Sequence, residues 1–416
     1  MKREIVILGG GTGGTLAANR LRRLFPRDEA RITVVDEDNR HIYQPGLLFV
    51  PFGLANPGAI VRDRAAQFHG GIDFRRASVD SVDTAASQVR LEDGNFLPYD
   101  ALIIATGAHL APDETPGLDN SARNVGTFYN LSGSERLRDQ LAAFDGGELV
   151  VNVVDMPIKC PVAPLEFCFL ADWYFQQRGL RDRVTITFVT PLDGAFTKPV
   201  CNSKLSFLLQ EKGINLVTEF NTGEVETDEG RLVSYDNRSV PFDLAVVVPV
   251  HVGADYVGRS SGLGDEMNFV RTDKRTLRAL SAPNIFVIGD AADIPTSKAG
   301  SVADFEGHLL AENVRRQLDG KPLLNTFDGH TNCFIETGFG KALLIDFNYD
   351  TEPLPGHYPW YIGLPLLKES SLNHLGKRMF EQFYWHILLP GRDVPGIGST
   401  MPVAGKERGP AVAKTA

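Results

Sequence analysis

The most constraining stretch of the chain lies at its start. A short apolar run, Glu4 to Leu8, leads straight into Gly9-Gly-Gly-Thr-Gly-Gly14 and then a helical stretch to about Phe25. A second apolar run, Arg31 to Val35, ends in Asp36. Strand, glycine turn, helix, strand and acid in this order form a βαβ dinucleotide fingerprint. Gly9 permits the tight turn, Gly11 lets backbone approach a pyrophosphate, and Gly14 allows the helix to pack closely on the strand. The helix N-terminus supports phosphate charge, and Asp36 is placed for ribose hydroxyls. A lone GxGxxG recurs by chance; the flanking strand, helix and acid make this one specific.

Length and composition narrow the rest. The 416 residues suffice for two or three domains with a sizeable core. A net charge of −10 argues against a nucleic-acid partner, which calls for a basic footprint. Four irregularly spaced cysteines do not make a secreted disulfide scaffold, which leaves them for redox or metal chemistry. The nine histidines show no metal-ligand spacing, so no metal is expected. No secretory signal pattern precedes Glu4, and no apolar run approaches the roughly 18 residues of a bilayer span.

Two later segments bear on the cofactor. Tyr99 to Ala105 reads as a buried strand running into Thr106-Gly107, and Asn284 to Ile288 as another ending in Gly289-Asp290. Alone, each is a strand closing in a turn. Together they resemble the FAD-binding elements of the flavoprotein disulfide reductase superfamily, which implies FAD near Ala105, Thr106 and Gly107, with Asp290 toward the ribityl–phosphate region. That superfamily usually carries a second glycine fingerprint for NAD(P)H. Here Glu148 to Val154 is the matching strand, but the turn after it, Asp155 to Glu166, contains no glycine. Side chains and proline rings stand where a pyrophosphate needs bare backbone. The expected result is a Rossmann-like domain without its nicotinamide site. In place of the glycines stands Cys160, ahead of Pro161 and beside Lys159. A helix N-terminus and a neighbouring lysine both favour a thiolate.

These residues resemble the sulfide:quinone oxidoreductase family, in its two-cysteine branch, from about residue 3 to about residue 392. The segments that carry the likeness are the glycine turn, RHIYQPG at Arg40, MPIKCPVAP at Met156, GDAADIPTSKAG from Gly289 through Lys298, HTNCF at His330 and LLK ending at Lys368. The resemblance implies a redox pair, Cys160 and Cys333, joined by a disulfide or sulfur bridge that hydrosulfide opens by thiol–disulfide exchange. It implies a persulfide on Cys333, a flavin-directed thiolate on Cys160, and two electrons passing through FAD to a quinone. Persulfide or polysulfide is then released, with a sulfur acceptor as a further partner. Glu166 resembles a family acid/base carboxylate, although a first-turn Glu is also favoured by the helix dipole alone. Lys368 resembles a lysine near flavin and quinone. Lys298 falls among the cofactor-binding positions, and His41 supports the Arg40 loop rather than a metal. Cys168 and Cys201 read as core. A third cysteine known in some members is absent from Gly126 to Leu131, which implies non-covalent FAD.

The expected fold is α/β, with two Rossmann-like domains of three-layer ββα type and a C-terminal membrane-contacting region. Residues 1–110 and 281–325 form the FAD domain, 111–280 the second domain, 326–401 the quinone and membrane region, and 402–416 a flexible tail. The aromatic and aliphatic segments Tyr358–Leu367 and Met379–Leu389 are the expected interfacial patch, with core packing as the alternative. Lys368 to Arg408 carries six Lys+Arg against four Asp+Glu, a local excess of two positive charges, so anchoring must be mainly apolar. The expected placement is peripheral or monotopic on the cytoplasmic face, with a homo-oligomer allowed. The rival readings are the flavoprotein subunit of a cytochrome-linked sulfide dehydrogenase, a type II NADH:quinone reductase and a non-catalytic flavin redox sensor.

Overall fold

The structure is a computed structural model that describes residues 2–119, 121–395 and 397–407. Two five-stranded parallel sheets organise it. The first orders its strands Ile285–Val287, Ala101–Ile104, Arg3–Leu8, Ala30–Asp36 and Ile72–Arg76. The second runs Val125–Gly126, Leu244–Val248, Gly147–Val153, Val184–Val189 and Asn215–Val217. Strands covered on both faces must be largely apolar, which is why central ones such as Ala101–Ile104 and Leu244–Val248 read as nearly unbroken apolar runs, while the edge strand Ile72–Arg76 does not. The first sheet takes an outer strand from chain that follows the second sheet.

Each sheet carries helices on one face and an antiparallel three-stranded meander on the other. In the second sheet the alternation is explicit. Leu149, Val151 and Val153 pack with the helices, while Val150 and Val154 pack with the meander residues Val225 and Leu232. Successive side chains on a strand point to opposite faces, so one sequence serves both layers.

Four helices position the site: α1 (Thr12–Leu24), α2 (Ala163–Gln177), α3 (Gly300–Leu318) and α4 (Ser371–Phe383). Helix α2 is buried from Phe167 to Ala171 without a polar stripe. A helix that is apolar all round must be covered all round. The second sheet covers one side and the hairpin Thr331–Gly338/Lys341–Phe347 the other. Fully burying Phe167, Phe169 and Leu170 contributes on the order of 2–3 kcal/mol each. This sandwich sets the Cys333 strand against the helix that follows Cys160. Cys168 lies within it, and Cys201 is likewise fully buried.

The C-terminal region corrects two expectations. The segment Met379–Leu389 divides: Tyr384, Trp385, Leu388 and Leu389 are core, whereas Met379 is 60% exposed. In the other segment, the tip Trp360, Tyr361 and Ile362 is exposed, Ile362 at 95%. Nor is the tail loose from residue 402. Lys406 is buried in an ion pair with Asp346, and His357 and Glu407 make backbone bonds between this stretch and residues 355–357. The rest of the expected tail, 408–416, lies outside the described residues. Among the described residues no helix is long and apolar enough to cross a membrane.

Candidate functional site

The two sheets and α4 enclose a cavity of about 1650 Å³. That exceeds the roughly 300–1000 Å³ of an ordinary small-molecule pocket. One wall is the glycine turn. Gly9 has φ +91°, and a Cβ there would stand 2.5 Å from the Ala105 carbonyl oxygen. A Cβ on Gly14 would meet the Gly9 oxygen at 1.8 Å. Gly11 differs, because a Cβ there meets nothing within 4 Å and the position opens into the cavity. Bare backbone at a helix N-terminus, facing a space this size, fits a dinucleotide pyrophosphate.

Asp36, Ala105, Thr106, Gly107, Gly289, Asp290 and Lys298 line the same cavity. Asp36 accepts the Gly10 N–H at 2.7 Å and pairs with Arg64. Burial lowers the Arg64 pKa to about 10. Lys298 donates to the carbonyls of Asp290 and Ala292 at 2.7 and 3.0 Å and lies over the Phe269 ring. Burial pushes the Asp290 carboxyl up, with Lys298 and then Lys159 opposing. Glu306, on α3, holds the Gly289 N–H at 2.6 Å, and its own pKa is pushed up to about 8 by burial. The Tyr384 hydroxyl bonds Thr12 and His41, each at 2.7 Å, tying the C-terminal region to the start of α1.

The opposite wall carries the sulfur chemistry. Cys160 and Cys333 both line the cavity, and all four cysteines are free thiols, so the expected Cys160–Cys333 link is not formed here. Cys160 has φ +46°, a left-handed conformation that costs a non-glycine residue energy. Its N–H donates to the Lys298 carbonyl at 2.7 Å, and its carbonyl accepts from Ala163 N–H and the Tyr129 hydroxyl. The turn that replaces the second fingerprint is thereby fastened to the Gly289–Lys298 segment.

Two sequence expectations fail at this wall. The thiolate reading of Cys160 is not met: its pKa is pushed up to about 12, by burial first and by Glu166 second. Helix α2 begins at Ala163, beyond the cysteine, and the cation that pulls the thiol down is Lys377 rather than Lys159. Cys333 is pushed up too, by burial and then by Cys160.

Lys368 is the second correction. It is exposed and does not line the cavity. Leu366 is buried, so a regular strand would turn Lys368 inward with it, but Leu367 adopts φ +54° and breaks the alternation. Besides Lys159 and Lys298, the lysine that reaches the cavity is Lys377, on α4. It pairs with Glu166, which is itself 1% exposed and accepts the Glu336 N–H at 2.6 Å. Burial pushes the Glu166 carboxyl up. Burial also works against the Lys377 charge, yet Glu166 and then Glu336 hold it above the ordinary lysine range. Sequence reading missed Lys377, Arg64, Glu306 and Tyr384. For Lys377 the only available signal was its place in the amphipathic run Ser371–Phe383, where Arg378 is an equal rival.

The comparisons agree with this picture. Residues 3–152 match the pyridine nucleotide-disulphide oxidoreductase family. The mitochondrial sulfide:quinone oxidoreductase of Dictyostelium discoideum is 29% identical over 94% of this chain and 86% of its own. The mouse mitochondrial protein of the same name is 26% identical over 93% of this chain and 86% of its own. The solved sulfide:quinone oxidoreductase of Aquifex aeolicus superposes with a TM-score of 0.78 at 20% identity, covering 94% of this chain and 92% of that one. At that identity the structural likeness speaks for the fold.

Proposed function

We propose that the protein is an FAD-dependent sulfide:quinone oxidoreductase, with Cys160 and Cys333 as its redox pair. The observation that carries the reading is the cavity itself: two cysteines on one wall, a glycine cradle on the other, and a buried Lys377–Glu166 pair beside the thiols. The cofactor is FAD, held by the Gly9–Gly14 turn, Asp36, Ala105–Gly107, Gly289–Asp290 and Lys298. When bound, it supplies a two-electron acceptor between the cysteines and a quinone.

The protein's own residues do the rest. In the oxidised state hydrosulfide attacks the Cys333 sulfur of a Cys160–Cys333 disulfide. An S–S bond forms on Cys333 as that disulfide breaks, leaving a Cys333 persulfide and a Cys160 thiolate. Burial resists the thiolate, and Lys377 is the group that offsets this. Left-handed backbone at Cys160, fixed by the Lys298 carbonyl, aims the sulfur into the cavity. The Cys333 persulfide is passed to a sulfur acceptor. Quinone reduction draws protons, and Lys377 with Glu166 is the titratable pair at hand.

Quinones partition into lipid, so the cavity must open toward it. Leu372, Leu375 and Met379 are each more than half exposed on one face of α4 and also line the cavity. With the Trp360–Ile362 tip they supply an apolar surface suited to peripheral membrane contact.

The test is anaerobic. Sulfide should bleach the flavin of the purified protein and a soluble quinone should restore it, while Cys160→Ser and Cys333→Ser each abolish the cycle. Bleaching by NADH with no response to sulfide would overturn the reading.

A further inference from the structure

A buried acid–base dyad lies behind the Lys377–Glu166 pair and is not used by the chemistry above. Glu336, on the Thr331–Gly338 strand, has a side chain only 3% exposed, and both carboxylate oxygens meet His374 Nδ1, at 3.0 and 2.9 Å. His374 is 28% exposed. It reaches solvent while Glu336 does not.

The dyad connects inward. The Glu336 backbone N–H donates to Glu166, and the Glu336 charge helps hold the Lys377 proton. Lys377 follows His374 by three residues on α4, so the two side chains share a face. Arg378, four residues on along α4, is a further charge beside His374 and lies outside these hydrogen bonds. His374 also sits roughly 130° around α4 from the Leu372–Leu375–Met379 face. If that face meets lipid, His374 stays toward water.

The reaction needs such a connection. Oxidising hydrosulfide to the level of persulfide sulfur releases two electrons and one proton, whereas reducing a quinone to the hydroquinone consumes two electrons and two protons. One proton per turnover must therefore come from water into the cavity. We propose that His374 and Glu336 form the inlet for that proton. Protonated His374 hands its proton to the Glu336 carboxylate; Glu336, which acts on Lys377 through its charge without touching it, passes one on by way of an intervening water after Lys377 has given its own to a quinone oxygen, and His374 is recharged from solvent. This rests on the quinone reading, and His374 is a relay acting through Lys377.

The half-reactions separate the two claims. In anaerobic stopped-flow, His374→Ala should leave sulfide bleaching of the flavin unchanged and slow its reoxidation by quinone about tenfold or more. The solvent isotope effect should appear or grow on that second phase only, and millimolar imidazole should restore the rate. Binding of a non-reducible quinone analogue, followed by intrinsic fluorescence, should be unchanged, which a collapsed site would not allow. His374→Gln should be slow and resist rescue, because its amide accepts and donates without titrating. A His374→Ala protein that cycles at the wild-type rate, or one that is slow and not restored by imidazole, overturns the inlet and leaves the quinone reading standing. A wild-type flavin that sulfide bleaches but quinone never reoxidises removes both.

Discussion

The two βαβ turns of this molecule make an instructive pair. Both follow a buried parallel strand and precede a helix that packs on its sheet. At Gly9–Gly14 the turn is bare backbone with an open face at Gly11. At Asp155–Pro164 it is filled by side chains, and at its middle a cysteine is held in left-handed backbone. The same supersecondary geometry thus aims peptide N–H groups into the cavity from one side and a sulfur from the other. A turn kept empty favours phosphate; a turn filled by a pinned thiol favours covalent chemistry. The two face one cavity because Cys160 N–H is tied to the Lys298 carbonyl, on the segment that completes the first unit.

The largest effect that would break this contrast is at the filled turn. Cys160→Ser should lower sulfide-dependent flavin reduction by roughly a thousandfold or more while the flavin spectrum of the resting protein persists. A variant that turns over normally would demote the turn to a structural one.

The buried pair behind it comes next. Lys377→Met strands Glu166 in the core, with an expected loss of roughly 3–5 kcal/mol in denaturant unfolding. Lys368→Met should stay within about 0.5 kcal/mol, since that side chain is exposed. Equal effects would mean that the two lysines have been wrongly distinguished.

The empty turn separates into two kinds of glycine. Gly14→Ala forces a Cβ against the Gly9 carbonyl and should cost roughly 1–3 kcal/mol in stability, with loss of flavin. Gly11→Val places its side chain in open space, so thermal stability of the flavin-free protein should hold while flavin retention on gel filtration falls.

The smallest effect concerns the clasp between Tyr384 and the start of α1. Burial lowers the His41 pKa to about 4 from an ordinary 6.5. The unfolded chain therefore takes up this proton first. The stability His41 contributes is complete above about pH 6.5 and declines as pH falls toward 4, by on the order of 3 kcal/mol in total. His41→Gln should flatten the melting temperature across that interval; an unchanged slope would place the titration elsewhere.

Local readings transferred well because their causes are local. The strands at Arg3–Leu8 and Val184–Val189, the helix after Gly14 and the one ending at Gln177 follow from apolar runs and glycine or proline punctuation. Failures arose where a neighbour distant in sequence decides. The thiolate expected of Cys160 came from helix and lysine proximity along the chain, yet burial and Glu166 override both. Lys368, the exception, was placed near flavin and quinone by the resemblance of its LLK segment alone, and there the cause is local: Leu367, with φ +54°, leaves it exposed. The apolar C-terminal segments were legible as apolar, but not which half would be core. Tyr384 and Trp385 sank beside His41 and Tyr43, whereas Met379 stayed outside.

Taken by itself, the chain determined the central strands of its two sheets and its one phosphate-ready turn, because each depends on residues within a few positions of one another. Tertiary structure alone decided that Cys333 and Cys160 line one cavity, that Lys377 rather than Lys368 is the lysine paired with Glu166 there, and that Glu336 bonds the partly exposed His374. Those are consequences of burial: once α2 had to be covered on both sides, the hairpin and α4 came with it. The charges they carried inward had then to pair with whatever they met.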